Sequence, residues 1–207
     1  MTRTPKPSGR NKLSPKGQPL RQRSTATRNL RERILIVCEG KQTEPNYFNR
    51  FRVNIVVEVC GLGKSPLDIV KHAQNCQKNG DYDQIWVVFD YDNVPVNQFN
   101  QAIQVAQQSG IKVAYSNQCF ELWYLLHFAY HNTPIDRQQY ISKLSQYLGK
   151  PYEKNSSSVY DDLYPYQQTA IRNARNLLAS YNHHNPAKND PSTTVHLLVE
   201  ELNRHIL

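Results

Sequence analysis

The sequence predicts an α/β fold, in which a βαβαβαβ run builds a parallel four-stranded sheet over about residues 33–116 and a helical part follows over about 117–207. Three observations lead there. Ile34-Leu35-Ile36-Val37-Cys38 and Ile85-Trp86-Val87-Val88-Phe89 are apolar at every position, which suits strands covered on both faces better than half-exposed ones. Strand-like runs alternate with helix-like segments as far as Tyr115, and consecutive parallel strands require such crossovers, which are nearly always right-handed. Beyond Cys119 the patterns are helical only.

The elements follow in order. After the first run, Thr43-Glu44-Pro45 reads as an N-cap with proline in the first turn and starts a helix through Arg50 or Phe51. Residues 53–59 form the second strand, and Cys60-Gly61-Leu62-Gly63-Lys64 a loop. Ser65-Pro66 starts a helix to about Lys78, with Leu67, Val70 and Cys76 among its inward candidates, and Asn79-Gly80 ends it. The third strand spans 84–89, a helix spans about 96–109, Gly110 stops it, and Ile111–Tyr115 is the fourth strand. Helices are then expected at roughly 119–130, 136–148, 165–181 and 193–205, with no internal repeat.

Two of the strands end in acids: Glu39-Gly40 follows the first run, and Asp90-Tyr91-Asp92 follows the third strand. Ligands of open α/β sheets collect beyond the carboxyl ends of the strands. Three carboxylates gathered at low dielectric repel one another and take up protons unless a cation joins them, and Mg²⁺ or Mn²⁺ with retained waters is the usual solution. Taken singly, Glu39 and Asp92 also read as helix caps and Asp90 as a turn residue. Together, and in this order, they favour a metal site.

Composition bounds the rest. A chain of 207 residues holds one medium domain plus a tail, here a disordered arm over 1–30 and a domain over 31–207. The polar, basic N-terminus carries no secretory pattern and no apolar stretch reaches membrane-spanning length, so a soluble, cytoplasmic protein is expected. Cys38, Cys60, Cys76 and Cys119 form no CxxC pair, which fits reduced thiols and argues against structural zinc. The net charge of +8 is local: residues 1–33 hold ten Lys or Arg against the single acid Glu32. That segment is poor in large apolar residues and should be disordered alone, an arm able to bind phosphate backbones through residues such as Arg21, Arg23, Arg28, Arg31 and Arg33. The same charge run also reads as a solubility tail or a contact for an acidic protein.

Longer stretches carry a resemblance. Glu-Gly after strand one and Asp-x-Asp after strand three resemble the Toprim fold of topoisomerases, primases and small nucleases. The run Cys38-Glu39-Gly40-Lys41-Gln42-Thr43-Glu44-Pro45-Asn46-Tyr47-Phe48, then Asp90-Tyr91-Asp92, then Phe120-Glu121-Leu122-Trp123-Tyr124-Leu125-Leu126-His127-Phe128, resembles the RloB family specifically. Asn185-Pro186 and the helix start at Asp190–Val195 fit its C-terminal pattern, so the resemblance covers about residues 33–205. Gln118 stands where the resemblance implies proline in many relatives, a loop difference that touches no catalytic role. The resemblance implies a bacterial Toprim-like nuclease of phage-defence loci, commonly encoded with an ABC/AAA-like ATPase partner. Its likeness to the Toprim effector of a two-component anti-phage system that attacks host tRNA points to RNA, and tRNA in particular, ahead of DNA. By position, Glu39 matches the Toprim glutamate, a general acid/base or a shaper of the metal shell, and Asp90 and Asp92 match its metal pair.

Other residues keep two readings each. Glu44 opens the first helix, where it can add a metal ligand or simply favour the helix dipole. Glu121 lies among large apolar neighbours, so it is either a metal-site residue or the buried partner of an Arg or a backbone amide. Lys41, beside Glu39-Gly40, can stabilise a transition-state phosphate as a catalytic group, and Lys150 and Lys154 can assist as nucleic-acid contacts, although lysines so placed are more often solvated surface residues. His127 and His131, four apart, read as neutral residues closing a helix rather than as a metal pair. Trp123 and Tyr124 read as core, His183-His184 as loop, and Asn117 as a residue that orients the turn after strand four. The leading expectation is a metal-dependent phosphodiesterase acting on nucleic acid under control of an ATPase partner. A non-catalytic binding subunit and a phosphohydrolase or nucleotidyl transferase on small nucleotides remain as alternatives. The sequence leaves a homodimer open.

Overall fold

The computed structural model describes residues 31–92 and 94–207. The expected disorder of the basic arm, with Arg21, Arg23 and Arg28, lies outside these residues.

Five strands form one sheet: β1 (Arg33–Cys38), β2 (Val56–Gly61), β3 (Gln84–Asp90), β4 (Lys112–Asn117) and β5 (Ser192–Thr193), in the order β2-β1-β3-β4-β5. The first four are parallel, as expected, but the sheet is not four-stranded. β5 pairs antiparallel with β4, Ser116 opposite Thr193 and Asn117 opposite Ser192. It covers the edge of β4 that would otherwise present unpaired backbone groups. A two-residue strand has no periodicity to read, and residues 192–193 were expected to lead only into a helix.

The helices are α1 (Thr43–Phe48), α2 (Pro66–Asn79), α3 (Val96–Gln108), α4 (Glu121–Leu125), α5 (Arg137–Leu148), α6 (Val159–Leu163), α7 (Gln167–Ala179) and α8 (Val195–Asn203), with a 3-10 turn at Tyr164–Tyr166. Ser65 caps α2 by accepting from the Asp68 amide, and Asp136 and Gln139 cap α5 reciprocally. Three expectations are corrected. β2 starts at Val56 rather than at residue 53, because Val53 instead bridges Ile206. α4 is five residues long rather than twelve; the chain beyond it closes in tight turns, with the His127 amide donating to Tyr124 O and that of Phe128 to Leu125 O. α6 was not foreseen.

Alternate strand residues point to opposite faces, and both faces are apolar. Leu35, Val37, Ile85, Val87 and Phe89 pack with Ile69, Val70 and Ala73 of α2 and Phe99 and Ala102 of α3. Ile34, Ile36, Trp86 and Val88 pack on the other face against α1 and the helical half, where Trp123 is fully buried. From β1 the chain crosses through α1 over that second face to β2, and from β3 it crosses through α3 over the first face to β4 on the other side, so it leaves these two adjacent strands in opposite directions. Such a switch point opens a crevice at the strands' carboxyl ends.

Gly61 sets how tightly those ends close. A Cβ there would lie 2.3 Å from Gly40 O and 2.8 Å from Lys41 Cα, both backbone atoms with little freedom to yield. Gly61→Ala is therefore expected to cost about 1–3 kcal/mol, as overpacking does, and to lower the urea midpoint. An unchanged midpoint would contradict this packing of β2 against the turn after β1.

Candidate metal centre

The parallel ladder continues past the end of β1. The Glu39 amide donates to Val88 O (2.8 Å), and Glu39 O accepts from the Gly63 amide (2.7 Å), which pins residue 39 between β2 and β3. Its side chain turns to β3, where Oε2 accepts from the Asp90 amide at 3.0 Å. Asp90 Oδ2 accepts from the Phe120 amide at 3.2 Å, whereas Oδ1, shut off from solvent, has no hydrogen-bond partner among the described residues. Backbone pairing runs one residue further, Tyr91 N to Ser116 O at 2.8 Å, before Asp92.

Glu44 enters from α1. Its Oε1 accepts from the Gly40 amide at 3.3 Å, and a Cβ on residue 40 would lie 1.9 Å from its Oε2. The Glu-Gly pair thus has a physical reason: glycine leaves room for a second carboxylate behind Glu39. Glu39, Glu44, Asp90 and Asp92 line one cleft of about 470 Å³ together with Lys41, Arg137 and Lys154. The segment before α6 brings Lys154 across α1, held by Thr43 Oγ1 to Lys154 O (3.1 Å) and Asn46 Nδ2 to Asn155 O (3.1 Å).

The acids raise one another. Burial, opposed by the Asp90 amide and reinforced by Asp92 and Glu44, pushes the Glu39 carboxyl up to about 7. Burial also lifts Asp90 well above its ordinary range, with Glu44, Glu121, Glu39 and Asp92 all adding to it. Glu44 is raised by burial and by Glu121, against the pull of two backbone amides and Lys154. An all-oxygen set with one orphaned, shielded carboxylate oxygen is the chemistry a hard divalent cation such as Mg²⁺ or Mn²⁺ takes. Glu39, Asp90 and Asp92 carry donors of that kind, with Glu44 beside them, although no three of these acids hold their oxygens within 4.8 Å of one another here, so a bound ion would require their side chains to draw together.

Not every candidate joins them. Glu121 does not line the cleft; it is 4% exposed and accepts from Tyr152 OH at 3.2 Å. Lys150 pairs with Asp162 at 2.6 Å. Arg33 pairs with Glu58 at 2.6 Å and Arg31 is exposed just before it, both at the opposite end of β1 from Glu39. His127 is fully buried, its Nδ1 2.9 Å from Trp123 O, and burial lowers it to about 4, so it is neutral. Asn117 donates to Pro186 O and Asn189 O, tying the end of β4 to the segment before β5.

Among the described residues, three metal-type donors all within 4.8 Å of one another occur at Glu32, Glu201 and His205, at the amino ends of the strands. There Gln84, Lys112 and Arg204 already hold Glu201, which makes the group an ion-pair network. In the cleft the acids are each turned to a protein partner: Glu39 to the Asp90 amide, Glu44 to the Gly40 amide, and Asp92 to Arg137.

Arg137 is the site residue that sequence reasoning missed. One signal was present: a cation in the first turn of a helix opposes the helix dipole, so its position called for a separate cause. That cause is Asp92, to which its guanidinium donates.

A family model described as RloB-like protein matches residues 34–202. No curated protein and no solved structure matches the chain. No helix of the described residues is long and apolar enough to cross a membrane.

Glu39 gives a pH test. Its folded pKa of about 7 stands above the ordinary 4.5, so between these values the native state holds a proton that the unfolded chain has released, and stability falls as pH rises through that window. In metal-free buffer, Glu39→Gln should gain on the wild type in urea midpoint progressively from about pH 4.5 to about 7, and added Mn²⁺ should stabilise the wild type alone. A gap that does not change with pH would contradict the crowding described.

Proposed function

This chain belongs to the RloB-like protein family, and we propose that it is a metal-dependent nuclease of the Toprim type that hydrolyses phosphodiester bonds in RNA, tRNA ahead of DNA. The observation that carries the reading is the meeting of Glu39, Asp90 and Asp92, from the ends of two adjacent parallel strands, in one cleft with Lys41, Lys154 and Arg137. Acids alone would repel a phosphodiester, and cations alone would bind it without chemistry.

Glu39, Asp90 and Asp92 would hold Mg²⁺ or Mn²⁺, with Glu44 in reach of the same cleft. When bound, such an ion polarises the phosphate and makes a water or hydroxyl a better nucleophile. The chain's own groups complement this. The value near 7 belongs to the metal-free cleft; where Asp90 and Asp92 hold the ion and Glu39 stays off it, such a raised carboxyl can take a proton from the nucleophile or give one to the leaving oxygen, which suits Glu39 as general acid/base rather than as a ligand. Lys41 and Lys154 can offset the charge that builds on the phosphate. The basic segment 1–30 would supply sequence-independent phosphate contacts. The family resemblance extends the proposal to a toxic effector of bacterial phage defence, restrained or activated by an ABC/AAA-like ATPase encoded with it.

Cells expressing the chain with that ATPase, once triggered, should accumulate tRNA with new ends. Asp90→Ala and Glu39→Ala should cut this by about 100-fold or more, the scale on which metal and acid–base groups act. Sequencing of tRNA and genomic DNA ends reads the outcome. Intact nucleic acid in wild-type and mutant cells alike would remove the nuclease assignment, and broken genomic DNA with intact tRNA would replace the substrate.

A further inference from the structure

The capping box fixes the first turn of α5, with the Gln139 amide donating to Asp136 Oδ1 and the Asp136 amide to Gln139 Oε1, both at 2.9 Å. Arg137 stands on that fixed turn and reaches Asp92 across the cleft. The pair also lines a second cleft of about 410 Å³, bounded by Tyr91, Asn117, Gln118 and Asp190. It therefore forms the wall that the two clefts share. The Arg137 and Asp92 side chains are 43% and 27% exposed, so ions reach the pair from solvent and its attraction is weakened by water.

We propose that Arg137 is a stand-in cation: a divalent ion displaces it from Asp92, and the freed guanidinium then binds a phosphodiester of a nucleic-acid strand lying across both clefts. The inference rests on the metal-dependent nuclease reading above. With the turn held, the exchange needs only rotation of the Arg137 side chain. A guanidinium suits both positions, because its planar fork of donors matches carboxylate and phosphate oxygens alike. Without it Asp92 would stand beside Asp90 and Glu39 with no ion-pair partner among the described residues, which explains why a cation occupies a helix position that the dipole disfavours.

The experiment measures Mn²⁺ affinity by calorimetry, and affinity for a labelled single-stranded RNA with Ca²⁺ replacing Mn²⁺, on the full chain and on Arg137→Gln and Arg137→Lys. Arg137→Gln removes a competitor and leaves more negative charge, so it should bind Mn²⁺ about two- to fivefold more tightly. It should bind the RNA about tenfold more weakly. Arg137→Lys keeps the charge and loses the fork: its Mn²⁺ affinity should match the wild type while RNA binding drops severalfold, a result that serves even if the glutamine variant does not fold. Mn²⁺ affinity unchanged or weakened in Arg137→Gln would overturn the stand-in role, and unchanged RNA affinity in both variants would overturn the phosphate role. A wild type that takes up no Mn²⁺ would defeat the nuclease reading, and this inference with it, a failure distinct from either of the others.

Discussion

Carboxylate crowding at the ends of β1 and β3 is the constraint around which the molecule is arranged. Glu44 and Glu121 are each 4% exposed, and Glu39, Asp90 and Asp92 complete the group. A buried charge without partners is costly, so each acid needs a donor, a proton or a cation. The fold supplies donors one at a time: the Asp90 amide to Glu39, the Phe120 amide to Asp90, the Gly40 amide to Glu44, Tyr152 OH to Glu121 and Arg137 to Asp92. Glu44 is drawn by its own amide as well, whereas Asp90 Oδ1 has no partner among the described residues. Burial first, and the repulsion of the neighbouring acids second, raise the Glu39, Glu44 and Asp90 carboxyls, and the few donors only partly offset them.

Holding such a group together requires rigid surroundings, and an aromatic cluster provides them. Tyr47 of α1 packs edge-on against Phe48, Phe51, Phe120 and Trp123, with ring centroids 5.3, 5.7, 5.8 and 6.5 Å away. Pairs of this kind contribute beyond their buried area. The cluster locks α1, which carries Glu44, to α4, which carries Glu121. The helical half then does more than cover one face of the sheet. It brings Lys154 and Arg137 over the acids, so that a cleft made of strand ends on one side carries positive charge on the other.

The strands were legible because burial on both faces leaves an unbroken apolar run, as in Ile34–Cys38 and Ile85–Phe89. The acids were legible because they follow those runs directly, and the meeting of residues 39, 90 and 92 in one cleft needs only parallel neighbours in register. What escaped depends on distant partners. β5 is too short to have a pattern and exists because β4 offers an edge. The segment after Leu125 keeps helical composition, yet tight turns end the helix there. Lys150 and Lys154 look alike in sequence; one pairs with Asp162 while the other is carried across α1 into the cleft. Arg137 was marked only by its conflict with the helix dipole, a signal that needs the helix start to be placed within a residue or two.

The central claim is that this crowded acidic corner is built for a divalent cation. Anomalous scattering from crystals of the protein grown with Mn²⁺ tests it most directly. The account predicts a peak coordinated by oxygens of Glu39, Asp90 and Asp92, with the Arg137 guanidinium moved off Asp92. Peaks confined to Glu32, Glu201 and His205, or none within the cleft, would contradict it.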